Sequence, residues 1–353
     1  MNKKALIAMS GGVDSSVAAF LMKNQGYSCI GVTMKLYDNE DIGVCSDKTC
    51  CSLDDIEDAR AVATKLGMPY YVFNFKDEFN EKVIKKFVAT YENGGTPNPC
   101  IDCNRHLKFE KLMRRMQELK FDFVVTGHYA DIEYVNGRYM LKKGKDLSKD
   151  QSYVLYSLTQ YQLRHTIFPL GKYSKEDIRK IAEENGFINA HKRDSQDICF
   201  VPDGDYSAFI EHYKGCPYPK GNFIDKQGNV LGEHQGIIKY TIGQRKGLNI
   251  ALGHPVYVID KNLNENTVIL GSNEDLNKTS LIADDFNWIT QKPTDRINCC
   301  AKTRYNMKEV PCTAYCEGDR VVVEFENPVR AITPGQAVVL YDGDYVLGGG
   351  TII

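Results

Sequence analysis

Residues 5–9 form a short apolar run that ends at Ser10-Gly11-Gly12-Val13-Asp14-Ser15-Ser16, after which helical spacing begins with Val17, Phe20 and Leu21 on one face. A strand that turns on paired glycines into a helix opens an α/β sheet, and the alternation continues through the first two hundred residues. Residues 29–34, 70–75 and 123–126 read as further strands. Ser52 with Asp55 has capping-box spacing for a helix ending near Gly67, and Phe79, Val83 and Phe87 continue the helical theme. Asn136-Gly137, between residues 131–135 and 138–142, predicts a hairpin because both turn positions take positive φ. Ser174 with Asp177 predicts one more capped helix, closed by Gly186.

Beyond about Tyr213 the helical period disappears. Glycines punctuate short β-rich runs, and turns such as Gln227-Gly228-Asn229 recur, which predicts small barrels or sandwiches. A polar stretch at 271–280 separates two such blocks. At 353 residues the chain exceeds the size of one ordinary core. The expected division is an α/β domain over 1–204, a central β-rich domain over 205–275 and a C-terminal β-barrel over 276–353.

A formal net charge of -2 excludes a surface coated in positive charge, so nucleic-acid contact would have to come from local basic clusters. The apolar run after Lys3 and Lys4 is too short for a secretory core, and no segment approaches a membrane span. Twelve cysteines in such a chain read as reduced thiols, metal ligands or catalytic sulfurs, in a cytoplasmic protein for which nothing demands more than a monomer.

Backbone amides of the 10–16 turn, with the helix N-terminus behind them, make a cradle for phosphate, and the serine hydroxyls add donors. A ligand-free strand-to-helix turn is the bland alternative. No Gly-Lys-Ser/Thr follows, so this is not the loop that holds β and γ phosphates with a lysine. The turn resembles instead the PP-loop of ATP pyrophosphatases, which cleave between the α and β phosphates. That resemblance implies a Rossmann-like, mainly parallel sheet. It implies adenosine and phosphate contacts from Ala8, Met9, Ser10, Gly11, Gly12, Val13, Asp14, Ser15, Met34 and Gly127, with Asp14 helping to hold Mg²⁺.

Two further motifs carry sulfur. Thr96-Pro97-Asn98-Pro99-Cys100-Ile101-Asp102-Cys103-Asn104 is a proline-braced loop with two thiols three residues apart, and Ser195-Gln196-Asp197-Ile198-Cys199-Phe200 holds a third. Arg105, His106 and Lys108 follow Cys103, a setting expected to favour its thiolate. With the glycine turn, these motifs resemble those of the bacterial tRNA-specific 2-thiouridylases, and the resemblance runs over nearly the whole chain.

Membership would imply that ATP adenylates the C2 oxygen of the wobble uridine in a tRNA anticodon loop, that sulfur replaces it, and that AMP and pyrophosphate leave. Cys199 would carry the sulfur as a persulfide received from a cysteine desulfurase or carrier protein, and Cys103 would complete transfer, leaving a Cys103–Cys199 disulfide. Many relatives carry Asp where this chain has Cys100, so a proton-handling role there does not transfer. Cys100, Cys103 and Cys199 could instead hold a four-iron four-sulfur cluster. A zinc site lacks a second matching pair, and inert buried thiols remain the plain alternative. Cys45, Cys50 and Cys51 read as loop or packing residues, and Cys299, Cys300, Cys312 and Cys316 as core residues on alternating strand faces.

The same resemblance implies tRNA contacts at Asn98, Pro99, Cys100, His128, Lys149, Asp150, Gln151, Arg304, Tyr305 and Gln336. On residue type alone, His128 would be a core or helix-cap histidine, and the basic residues between Arg105 and Lys120 are in part a solvated face. A swung-out single-stranded base suits a pocket of this kind. Two other classes stand against this reading. A PP-loop ligase acting on a small carboxylate would have no need of Cys103 and Cys199, and a non-catalytic RNA binder would have no need of an intact phosphate loop.

Overall fold

The computed structural model describes residues 2–38, 53–192, 198–201 and 203–353. Ser52, Cys45, Cys50, Cys51 and the Ser195-Gln196-Asp197 part of the last cysteine motif lie outside the described residues. The chain divides into two compact units: one of residues 1–84, 99–204 and 343–347, the other of 85–98, 205–342 and 348–353. Among the described residues no helix is long and apolar enough to cross a membrane.

In the first unit the apolar runs become β1 (Lys4–Ala8), β2 (Ser28–Lys35), β3 (Tyr70–Asn74) and β4 (Phe123–Val125); β5 (Ala130–Val135), β6 (Arg138–Lys143) and β7 (Thr166–Ile167) follow. β1, β2, β3, β4 and β7 form a parallel sheet in the order β3-β2-β1-β4-β7. β1 has no exposed edge, which is why its centre, Ala5, Leu6 and Ile7, is fully buried on both faces and reads as an unbroken apolar run. β3 lies at the sheet's edge, and Tyr71 and Val72 there are exposed. After β1 the chain adds β2 on one side, and β4 then joins on the other. A reversal of this kind leaves a crevice at the carboxyl ends of the strands.

The helix α1 (Val13–Asn24) packs Val17, Ala18 and Met22 into the core beneath the sheet, where each of the larger side chains contributes roughly 2 kcal/mol by leaving water. Asn136 and Gly137 have φ of 50° and 83° and join β5 to β6. Ser174 caps the helix Lys175–Glu184 through a reciprocal bond pair with Asp177, worth about 1 kcal/mol, and Gly186 at φ 58° follows its end.

The second unit carries two β systems. β8 (Gly221–Ile224), β9 (Val230–His234), β10 (Tyr257–Asn262) and β11 (Thr267–Gly271) form a small sheet of order β10-β11-β8-β9. β12 (Asn277–Trp288), β13 (Ile297–Lys302), β14 (Val310–Glu317), β15 (Arg320–Arg330), β16 (Ala337–Asp342) and β17 (Tyr345–Ile352, of which residues 348–352 belong to this unit) follow in the order β12-β15-β14-β13-β16-β17, and β12 pairs with residues 348–352 of β17 to close the barrel. Closure removes the exposed strand edges. Gly348 and Gly350 are required on β17, since a Cβ there would come within 2.9 and 2.7 Å of the Phe286 ring.

Candidate active site

The glycine turn lies at the carboxyl end of β1, beside the reversal in strand order. Its shape is fixed from within. Ser15 Oγ and Ser16 Oγ donate to the Gly12 carbonyl at 2.9 and 3.1 Å, while the Ser10 amide donates to Ser15 Oγ at 3.2 Å. Gly11 has φ of 77°, and a Cβ on it would lie 2.4 Å from the Asp55 carbonyl oxygen, so only glycine fits. Gly127, just beyond β4, has the same restriction: its Cβ would meet backbone atoms of Asp14 and Ser15 at 2.9 Å.

Ala8, Met9 and Met34 stand at or near the ends of neighbouring parallel strands, and Thr33 Oγ1 donates to the Met9 carbonyl at 2.6 Å. The structure thus gathers Ala8 to Ser15, Met34 and Gly127 at the carboxyl edge of one sheet.

Sequence reasoning missed three residues that hold this loop. Lys175 Nζ lies 2.8 Å from both carboxylate oxygens of Asp14, and Tyr129 donates its hydroxyl to Asp14 Oδ1 at 2.7 Å. The Lys175 side chain is only 11% exposed, so this is a mostly desolvated ion pair. A signal for it did exist. Lys175 is the first residue of a capped helix, where the helix dipole disfavours a cation unless an anion compensates. Asn189, itself buried, donates to the Gly11 carbonyl and to Ser16 Oγ, both at 2.9 Å.

Asp14 carries the Lys175 ammonium on both carboxylate oxygens, so a magnesium ion held with its help would take its other ligands from phosphate and water. Among the described residues no group of three His, Cys, Asp or Glu side chains is placed to hold a metal; Cys100, Cys103 and Cys199 are all described and do not form one.

The three cysteines differ in setting. Cys100 is exposed, on the short helix Pro99–Asp102. Cys103 is half-buried and begins a helix of wide, π-type turns, Cys103–Lys111. Its thiol is pushed up to about 11, because desolvation outweighs the pull of Lys108. The expectation that neighbouring cations favour the thiolate is therefore corrected. His106 is engaged with Glu110 at 3.0 Å, and burial disfavours charge on the sulfur more than the remaining lysine favours it. Cys199 is half-buried, its carbonyl accepts the Tyr37 hydroxyl at 2.7 Å, and the next residue, Phe200, packs edge-on against Phe79.

His128 is buried, and burial holds it well below its ordinary value, so it is neutral; its Nδ1 pairs with Thr126 Oγ1 at 2.7 Å, with Phe109 and Phe168 against its ring. Asp150 accepts from the Gly144 amide and from Ser152, and Gln151 Oε1 accepts the Tyr129 amide at 3.0 Å. Lys149, between these and Asp146, is half-buried. The segment 149–151 thus has an internal scaffold that also steadies the tyrosine bonded to Asp14.

In the second unit, Arg304 Nη2 donates to the Ile242 and Ala331 carbonyls at 3.1 and 3.0 Å and to Thr333 Oγ1 at 2.6 Å, bracing the loop before β10 against the turn after β15. Tyr305 is half-buried beneath the Lys302 ammonium. Gln336 Nε2 donates to the Thr96 and Pro97 carbonyls at 2.8 and 3.3 Å, and Asn98 follows, half-buried. Pro99 opens the first unit's cysteine helix.

Three family models match in succession: a tRNA methyl transferase HUP domain over residues 3–203, a tRNA methyl transferase PRC-barrel domain over 207–272 and an aminomethyltransferase beta-barrel domain over 278–352. Among curated proteins, the tRNA-specific 2-thiouridylase MnmA of Clostridioides difficile is 51% identical over 356 residues, covering 100% of this chain and 98% of that protein. The MnmA of Clostridium kluyveri is 50% identical, covering 100% and 99%, and that of Lachnoclostridium phytofermentans is 51% identical, covering 99% of each. With similarity running from end to end at about half identity, this chain belongs to the tRNA-specific 2-thiouridylase family, a family of tRNA-uridine 2-sulfurtransferases.

Proposed function

We propose that this enzyme adenylates the C2 oxygen of the wobble uridine in a tRNA anticodon loop and replaces it with sulfur. An unactivated uracil carbonyl has a hopeless leaving group. Attack of its oxygen on the α phosphorus of ATP expels pyrophosphate and turns that oxygen into part of AMP, a good leaving group. The terminal sulfur of a Cys199 persulfide then attacks C2, and AMP departs. The Cys103 thiolate next attacks the inner sulfur on Cys199, so that the S–S bond of the persulfide breaks, 2-thiouridine is released and a Cys103–Cys199 disulfide remains. A thiol reductant resets the pair.

The observation that carries the reading is that one compact unit holds both a glycine cradle braced by Asp14, Lys175 and Asn189 and the two segments bearing Cys100, Cys103 and Cys199. Ser10 to Ser15 would receive the phosphates and Met34 and Gly127 the adenosine. Lys175 would balance charge beside the loop. The raised Cys103 thiol suits a group that reacts second, once substrate and AMP have altered its surroundings. Residues 1–204 would catalyse, while 205–275 and 276–353 would contact tRNA. The sulfur donor would be a desulfurase or carrier protein, the compartment the cytoplasm, and the working form a monomer.

The test is AMP release with purified protein, ATP, sulfide donor and tRNA, followed by nucleoside analysis. Stimulation by tRNA carrying an unmodified wobble uridine, together with 2-thiouridine in the digest, is expected. Stimulation by small carboxylates without tRNA would overturn the proposal in favour of a ligase. Cys199→Ala should abolish thiolation while adenylation continues, and iron and acid-labile sulfide in anaerobically prepared protein would replace the persulfide route with a cluster.

A further inference from the structure

β13 and β14 are antiparallel neighbours in the barrel, and their register places Cys299 directly opposite Cys312. The two Sγ atoms are 3.6 Å apart. A disulfide needs them at about 2.05 Å, so the sulfurs must approach by roughly 1.5 Å. Directly opposed positions on an antiparallel pair bring Cβ atoms to about 4.5–5.5 Å, and a disulfide holds them at about 3.5–4.5 Å, so rotation about χ1 together with a local approach of the two strands by up to about 1 Å closes the bond. Cys312 is buried and lies on the face of β14 that carries the buried Ala314, whereas Cys299 is half-exposed and offers a route for small solutes.

We propose that Cys299 and Cys312 form a redox modification site, a cross-strand dithiol that takes up two oxidising equivalents from a hydroperoxide and becomes a disulfide stapling β13 to β14. The site lies in the second unit, whereas Cys103 and Cys199 lie in the first, and it does not depend on the proposed reaction.

The chemistry balances in two steps. The Cys299 thiolate attacks the terminal oxygen of the hydroperoxide; the O–O bond breaks, an alcohol or water leaves with a proton, and a sulfenic acid forms. The Cys312 sulfur then attacks that sulfenic sulfur, losing its proton, and water departs as the S–S bond closes. Two thiols and one hydroperoxide give one disulfide, one alcohol or water, and one further water. Electrostatics support this order of events. The hydrogen bond between the sulfurs favours the Cys299 thiolate and disfavours ionisation of Cys312, whose burial pushes it the same way. Cys300 and Cys316 are the neighbouring competitors; Cys300 opposes Pro311, and Cys316 opposes Val321.

The full chain would be fully reduced, exposed to one equivalent of hydrogen peroxide, blocked with iodoacetamide and digested without reductant. A peptide pair joined through Cys299 and Cys312, two mass units below the sum of its reduced halves and restored by dithiothreitol, is the expected product. Cys299→Ser and Cys312→Ser should each remove that crosslink without affecting one between Cys103 and Cys199. Should either variant fail to fold, the wild-type map still decides. Recovery of Cys299 as sulfinic acid or as its alkylated thiol beside a free Cys312, or of Cys312 joined to Cys300 or Cys316 instead, would overturn the assignment.

Discussion

Gly12→Ala separates folding from ligand binding at the phosphate loop. Gly12 has φ of -85° and ψ of 160°, an extended conformation that alanine adopts without strain. A Cβ built there meets nothing closer than Ser10 Oγ at 3.5 Å, an ordinary contact. Alanine loses about 0.5–1 kcal/mol as a helix cap but gains about 0.4–1 kcal/mol through the unfolded chain, so the net change in stability is within about 1 kcal/mol. Only a ligand against the backbone would feel the new methyl. If phosphate oxygens sit in the cradle, the methyl displaces one charge-assisted hydrogen bond worth about 1.5–3 kcal/mol, which is a rise of roughly 10- to 150-fold in the ATP KM. The assay is a thermal melt beside tRNA-stimulated AMP formation at varied ATP. An unchanged melting temperature together with an ATP KM within twofold of wild type would refute the placement of phosphate at this turn.

Lys175→Met should leave the Asp14 carboxylate with Tyr129 as its remaining named donor. Because that carboxylate is 31% exposed and can hydrate in part, the expected cost is about 1–3 kcal/mol rather than the full penalty of a buried charge, and a denaturation series in the Asp14→Asn background should recover much of it. With its thiol pushed up to about 11, Cys103 is ionised in about one molecule per thousand at pH 8; its alkylation by iodoacetamide, followed by peptide mapping, should quicken roughly tenfold per pH unit to pH 10. The sign for stability follows from the same shift: the fold favours the neutral thiol, so this contribution is complete below the ordinary value of 9.0 and lost as pH rises through 11. Arg304→Ala removes three charge-assisted bonds within the second unit and should cost about 2–4 kcal/mol by chemical denaturation; a loss below 0.5 kcal/mol would show that the brace carries no load.

Period and turn chemistry made the α/β half, the Asn136-Gly137 hairpin and the Ser174 cap legible from residues alone, because each depends on neighbours within a few positions. The phosphate turn was legible for the same reason, since its shape is set by its own serines and glycines. The settings of its partners were not. Lys175 and Tyr129 stand 161 and 115 residues from Asp14, and Asn189 stands 178 from Gly11; no local pattern couples positions so distant. Cys103 shows the limit most sharply. Its sequence neighbours are cations, yet the balance between their field and the loss of water depends on how much protein surrounds the sulfur.

The amino-acid order by itself thus determined the alternation of strands and helices in the first half and the shape of the glycine turn, consequences of short-range sterics and hydrophobic period, while the parallel sheet was implied by the family resemblance. Tertiary structure alone decided which charges meet across the sheet's carboxyl edge, which thiol is desolvated and which two cysteines of the barrel face each other. Those properties arise from strand order, register and burial, and a chain acquires them only when segments far apart in sequence exclude water together.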